Sequence, residues 1–233
     1  MARPAISVII PTLDAEAGLS PVFRALSRPC AQNLVLETLV SDGGSSDRTR
    51  EIAEAAGATF LKAPRGRGAQ LATGAARARA EWLLFLHADT APSQGWEAEA
   101  RRFIETAERS GGRRAAAFRF KFDEGGWKAR LVEAGVAMRC ALFGLPYGDQ
   151  GLLISRDFYS AVGGYRPIPL MEDVDIVRRV GRRRMTILKT PAVTSAERYR
   201  RTGFFRRVAR NWRCLAMYYS GVAPERILEL YEK

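Results

Sequence analysis

The run Leu34–Thr49, LVLETLVSDGGSSDRT, decides how the chain is read. Its first seven residues are rich in aliphatic and β-branched side chains, which predicts a buried strand over Leu34–Val40. Ser41-Asp42-Gly43-Gly44 turns the chain, and Ser45-Ser46-Asp47 offers N-cap residues and an acid for a helix running to about Ala56. On the N-terminal side, Ile6–Ile10 is another apolar strand, closed by Pro11. On the C-terminal side come a strand at Thr59–Leu61, an Ala-rich helix at Gln70–Ala80 and a strand at Trp82–Leu86. Strands alternating with helices predict an α/β fold, an open and mostly parallel sheet with helices on both faces. Ligands bind such sheets beyond the carboxyl ends of the strands, where Pro11-Thr12-Leu13-Asp14, Asp42 and His87-Ala88-Asp89 fall.

The pattern changes after Arg109. Phe118, Phe120 and Phe122 alternate with Arg119, Lys121 and Asp123 as one face of a strand does. A helix over Trp127–Leu142, a loop over Gly144–Gly151, a strand at Leu152–Ser155, a helix over Met171–Val180 and C-terminal helices follow. No repeat or linker interrupts the chain, so residues 1–233 are expected to form one domain. Its halves, about 1–110 and about 111–233, would bind the ligand and its reaction partner respectively.

The 233 residues are 47% hydrophobic and 27% charged, which is globular and not disordered composition. Lys and Arg number 37 against 25 Asp and Glu, a net charge of +12, so an anionic partner is expected: nucleic acid, an acidic membrane face or a phosphorylated small molecule. Cys30, Cys140 and Cys214 are widely spaced without a CxxC pair, which points to reduced thiols in a cytoplasmic protein and away from zinc. His87 is the single histidine, so carboxylates must carry most of the acid-base work. Met1–Ile6 has no signal-peptide character, and the longest apolar stretches fall short of the roughly 18 residues of a membrane span.

Asp42 can accept hydrogen bonds from a base or ribose, or can close a turn before the next helix. Arg65-Gly66-Arg67-Gly68-Ala69-Gln70 reads as a phosphate clamp or as a solvated basic turn. His87 and Asp89, two apart at a strand end, can hold a divalent cation that bridges phosphates, or can be a core histidine and a turn-capping acid. Glu172 and Asp173, with Asp175 beside them, open a helix, where acids also serve the helix dipole. Gly148-Asp149-Gln150-Gly151 can bring a further acid and amide to the same crevice, and a carboxylate beside an acceptor hydroxyl can act as general base.

In order along the chain, ISVIIPTLDAE, VSDGGSSDRT, RGRGAQLATGAARA, LLFLHADT, GDQG, GGYRPIPLMEDVDIVRR and RNWRCLAMYYSGVAPERILELY resemble a family 2 glycosyltransferase. More narrowly, they resemble a small bacterial group with HAD in place of DxD, over about Ile6–Tyr231. The resemblance implies a GT-A fold, a nucleotide-diphosphate sugar donor with UDP favoured, Mn2+ or Mg2+, and transfer with inversion. It implies that Pro11, Thr12, Asp14, Glu16, Asp42, Arg67 and Gln70 line the donor pocket and that Asp89 with His87 holds the metal, the imidazole favouring manganese. Asp173 would be the base, Glu172 would hydrogen-bond a sugar hydroxyl or orient the site, and Asp149, Gln150 and Gly148 would lie near the acceptor.

Seven arginines stand between Arg198 and Arg213, and Phe205, Val208, Trp212, Leu215 and Tyr219 recur at three-four spacing. That predicts an amphipathic helix that docks its stripe on the domain, lies on an anionic inner membrane face beside a lipid or lipid-linked acceptor, or forms a homodimer interface. Two rival readings are a nucleotide-sugar-binding pseudoenzyme and a basic nucleic-acid-binding protein. Intact Glu172, Asp173 and Asp149 oppose the first, and no nucleic-acid-binding pattern supports the second.

Overall fold

The computed structural model describes residues 5–231, except the side chains of Ala31, Arg198 and Arg201. The signal-peptide reading of Met1–Ile6 therefore rests largely outside the described residues, as do two of the seven C-terminal arginine side chains.

Eight strands form one sheet: β1 (Ile6–Thr12), β2 (Val35–Asp42), β3 (Thr59–Lys62), β4 (Trp82–Phe85), β5 (Thr90–Pro92), β6 (Ala115–Phe122), β7 (Leu152–Ser155) and β8 (Met185–Thr194). Their order is β3-β2-β1-β4-β7-β6-β8-β5. The pairs β3-β2, β2-β1, β1-β4 and β6-β8 are parallel, and β4-β7, β7-β6 and β8-β5 are antiparallel. The helices are α1 (Glu16–Ala31), α2 (Thr49–Ala55), α3 (Arg67–Arg77), α4 (Trp96–Arg109), α5 (Trp127–Phe143), α6 (Arg156–Ala161), α7 (Glu172–Val180), α8 (Glu197–Thr202), α9 (Phe204–Tyr219) and α10 (Pro224–Tyr231).

β1 is buried at every position, as a central parallel strand covered on both faces must be. Its even-numbered residues Ile6, Val8 and Ile10 pack with Leu19 and Val22 of α1 and Trp96 and Ile104 of α4. Ile9 points the other way, into a cluster with Leu71 of α3 and Ile176 of α7. α3 lies flush on the sheet because residue 74 is glycine: a Cβ there would come within 2.4 Å of Ile9 Cγ2.

The expected strands and helices are present, and α3 starts three residues early, so Arg67 stands in its first turn. β5 and β8 were not expected. β8 carries Pro191 and follows Arg182–Arg184, and β5 has only three residues, too few for a pattern. The C-terminal stripe is divided. Leu215 is buried and Val208 half-buried, while Phe205, Trp212 and Tyr219 are exposed. The apolar arc of α9 is wider than the face it docks, so the expectation of a single inward stripe is corrected.

Candidate active site

Four loops meet at one sheet edge: those leaving β1, β2 and β4, and the one entering β7. The last arrives there because β7 runs antiparallel to β4, with Phe85 opposite Leu152. Gly151, with φ of +63°, makes that entry, and a Cβ on it would lie 2.9 Å from Leu86 Cδ2.

The β1 and β2 loops are tied together by reciprocal bonds. Asp14 N donates to Ser45 Oγ at 2.8 Å, and Ser46 N donates to Asp14 Oδ1 at 2.8 Å. Glu16 N donates to Asp47 Oδ2 at 3.0 Å, and Arg48 N donates to Glu16 Oε2 at 3.1 Å. Asp14 and Glu16 are exposed. Asp42 is buried and accepts from Thr12 Oγ1 at 2.9 Å, Gly44 N at 2.9 Å, Ser45 N at 2.8 Å and Ser45 Oγ. Burial would raise this carboxyl, but those donors outweigh burial and hold it below its ordinary range. Four donors fill a carboxylate's lone pairs, so a ligand reaching Asp42 has to displace one of them. Gln70 is buried too, its amide donating to the carbonyls of Thr12 and Ser41. Pro11 is buried within β1. Thr12 and Gln70, expected to touch a ligand, turn their polar atoms into the fold, where buried groups demand partners.

The loops after β4 and before β7 meet at Gly148. Its N–H donates to Asp173 Oδ2 at 2.8 Å. A Cβ on it would stand 2.3 Å from His87 Nε2 and 3.3 Å from Asp173 Oδ2, so the imidazole and the carboxylate flank one small residue. Asp173 Oδ1 accepts from Val174 N at 2.7 Å, which fixes the carboxylate's plane. Met171, the residue before the acid pair, caps α7 at φ of +69°, a left-handed conformation costly for a bulky side chain.

Glu172 is 1% exposed and lies 3.3 Å from Arg67 Nη1. Gly68 makes this pairing possible. A Cβ there would fall 2.2 Å from Arg166 O, so only glycine lets α3 approach the segment leading to α7. Burial pushes the Glu172 carboxyl up to about 7; Arg67 opposes the rise and Asp173 adds to it. Burial acts to lower Arg67, but Glu172, Asp173 and Asp89 outweigh it and raise the guanidinium.

Asp149 Oδ1 is buried without a protein hydrogen-bond partner. Burial pushes this carboxyl up to about 6 against the pull of Arg139, with Asp173 and Asp89 adding to the rise. Thr194 Oγ1 donates to the Asp149 carbonyl at 3.2 Å and lies 2.9 Å from Thr90 Oγ1, pinning the loop to β8 and β5. Gln150, expected beside an acceptor, is a buried strut. Its amide donates to Phe118 O at 2.9 Å, and its oxygen accepts from Arg139 at 3.3 Å.

Two residues were missed from sequence. Arg139 of α5 stacks its guanidinium 3.7 Å from the Tyr147 ring centroid and donates to Leu145 O at 2.9 Å. The Tyr147 hydroxyl is buried without a protein partner. An aromatic directly before Gly-Asp was the available signal for Tyr147; a lone helical arginine offered none. A small cleft opens here, lined by Leu86, His87, Tyr147, Gly148, Glu172 and Asp173 among others.

The residues fit a divalent cation that is shared with phosphates. Among the described residues no group of three His, Cys, Asp or Glu is assembled to hold a metal. Hard cations of the magnesium class take one or two carboxylates and complete their shell with water and substrate phosphates, which suits Asp89 with His87. Asp173 and Asp89 add to the rise that burial imposes on Asp149, so several carboxylates share this edge and a cation there would offset their charge. Cys30, Cys140 and Cys214 are unpaired thiols.

Residues 7–134 match the model of glycosyl transferase family 2. No curated protein sequence matches significantly. Among solved structures, glucosyl-3-phosphoglycerate synthase from Mycobacterium tuberculosis, with Mn2+, uridine diphosphate and glucosyl-3-phosphoglycerate, is 22% identical with a TM-score of 0.56. That alignment covers 83% of this chain and 72% of that one. The same synthase with Mg2+ and uridine diphosphate aligns at 21% identity and a TM-score of 0.57, over 83% and 72%. S. aureus TarS 1–349 is 15% identical with a TM-score of 0.63, over 82% of this chain and 60% of that one. At these identities the likeness is one of fold, the GT-A arrangement of a mixed, mostly parallel sheet. The family match covers more than half the sequence and three of the four loops that build the site: the chain belongs to glycosyl transferase family 2.

Proposed function

We propose that the protein moves a sugar from a nucleotide-diphosphate sugar to an acceptor hydroxyl, with inversion at the anomeric carbon. The observation that carries this reading is the meeting at Gly148 of the His87–Asp89 loop with Asp173, a strand-end anchor for phosphates facing a carboxylate across one residue. Asp173 is the base. Gly148 N–H and the Val174 amide fix its two oxygens, and it takes the acceptor's proton as that oxygen attacks the anomeric carbon. The bond from that carbon to the diphosphate breaks on the opposite side, its electron pair leaving with the diphosphate. Arg67 places a guanidinium beside the same carboxylates and balances phosphate charge. Glu172, largely protonated below pH 7, can donate a hydrogen bond to a sugar hydroxyl. Asp149 and the Tyr147 hydroxyl, both with buried unpartnered oxygens, orient the acceptor. Asp89 and His87 would hold a divalent cation, which would supply charge neutralisation for the departing diphosphate. The uridine diphosphate and Mn2+ in the synthase structure support a UDP-sugar as first candidate.

The test is thermal-shift binding of a panel of nucleotide sugars with and without Mn2+. One donor should raise the melting temperature only with metal, and Asp89→Ala should abolish that rise. Asp173→Asn should keep the donor shift and lose about 10²–10⁴-fold in turnover. Wild-type turnover in Asp173→Asn would dismiss Asp173 as base, and no shift with any donor would overturn donor binding.

A further inference from the structure

We propose that the outer face formed by α5 and α9 docks on an anionic lipid bilayer. Of the ten large apolar side chains exposed among the described residues, only Leu13 and Leu36 lie outside α5 and α9. On α5, Trp127, Leu131, Met138 and Leu142 recur at spacings that put them on one helix face, and they are 53–66% exposed. On α9, Phe205, Trp212 and Tyr219 form a second such line, 46–56% exposed. The two lines touch: the Trp127 and Phe205 rings are 6.0 Å apart. The result is an aromatic and aliphatic surface of two lines that meet at this ring pair, unlike the singly scattered exposed leucines of soluble proteins.

Charge selects the occupant. Lys128 and Arg130 of α5 and Arg206 and Arg213 of α9 are exposed beside the apolar lines. The exposed run Arg182–Arg184 adjoins the C-terminus of α5, where Arg182 donates to Ala141 O at 3.2 Å. Glu133, the acid within the described part of α5, is turned inward to accept from Phe122 N at 2.9 Å. An apolar surface with tryptophan and tyrosine, flanked on both helices by exposed cations, matches acyl chains beneath anionic headgroups. A second copy fits poorly, because a two-fold interface sets a patch against itself and would bring these cations together. No helix among the described residues is long and apolar enough to cross a membrane, so contact lies in the bilayer plane. The face is rooted in the site: Arg139 and Cys140 of α5 touch Gln150 at the Gly148–Gly151 loop. Its geometry stands independently of sugar transfer.

Vesicle sedimentation tests it, with phosphatidylcholine alone and mixed with phosphatidylglycerol. Trp82 and Trp96 are buried and Trp127 and Trp212 exposed, so brominated lipids should quench the two tryptophans of this face. We expect pelleting with the anionic vesicles, quenching of tryptophan emission, and affinity about tenfold or more weaker for Leu131→Glu/Phe205→Glu. That variant should keep the donor thermal shift. No binding to anionic vesicles overturns the proposal. Binding unchanged in the variant assigns it to charge alone and also overturns it, as does a lipid-free dimer that the variant dissociates. Vesicle binding without any donor shift would leave this proposal standing and remove the transferase reading.

Discussion

Replacing Glu172 by Gln isolates the electrostatic strain at the centre of the site. The carboxyl is 1% exposed, and burial lifts its midpoint from 4.5 to about 7. An acid whose midpoint is higher in the folded than in the unfolded chain favours folding while protonated. That contribution is complete below about pH 4.5 and is lost as the pH rises through about 7. At about 1.4 kcal/mol per pH unit, ionising Glu172 in the folded protein costs about 3 kcal/mol. For a chain of this size that is about 6–12 °C in melting temperature. Gln mimics the protonated acid and never ionises, so Glu172→Gln should melt about 2 °C above wild type at pH 5 and about 6–12 °C above it at pH 8.5. Asp149, pushed up to about 6, acts in the same window and lowers both proteins alike. Asp42, held below its ordinary range by its four donors against burial, acts with opposite sign, stabilising above its unfolded midpoint and failing only on further acidification. The assay is calorimetry or dye-monitored melting in chelator, without donor, from pH 5 to 8.5. Parallel curves for the two proteins would refute the reasoning.

Three further outcomes are expected. Gly148→Ala places a methyl 2.3 Å from His87 Nε2 and should cut turnover by about tenfold or more, with a melting temperature near wild type, as steady-state kinetics would show. Tyr147→Phe removes a buried hydroxyl without a protein partner and should raise stability by about 1 kcal/mol in urea titration while raising the acceptor KM. Gly68→Ala drives a methyl against Arg166 O at 2.2 Å, a backbone atom that cannot step aside. It should destabilise by about 1–3 kcal/mol in urea titration and weaken donor binding through Arg67.

The N-terminal half was legible because β1, β2 and β4 are short apolar runs closed by Pro11, Asp42-Gly43 and His87. Buried parallel strands must be written that way. Burial and backbone direction then fix which loops share an edge. Side-chain aim was not legible. Asp42, Gln70 and Gln150 carry groups suited to ligands, but each is spent on buried backbone or side-chain partners that only the fold supplies. Arg139 escaped notice for a related reason: its partners, Tyr147 and Gln150, are set by a loop and not by helix spacing. The stripe of α9 was found by spacing, yet spacing says which residues share a face and not how much of that face another element covers.

The antiparallel pairing of β4 with β7 has a consequence for how such a protein can diversify. The β1–β4 frame and the loop entering β7 are sutured through four residue pairs, Trp82–Phe85 against Ser155–Leu152, and are borne on separate parts of the chain. Insertions or rewritten loops after β6, in α5 or beyond α7 leave that suture and the β1–β4 frame intact. Under the proposed sugar transfer, the first half could keep a fixed chemistry while the second drifts to new recipients, so long as Gly148 still returns between His87 and Asp173.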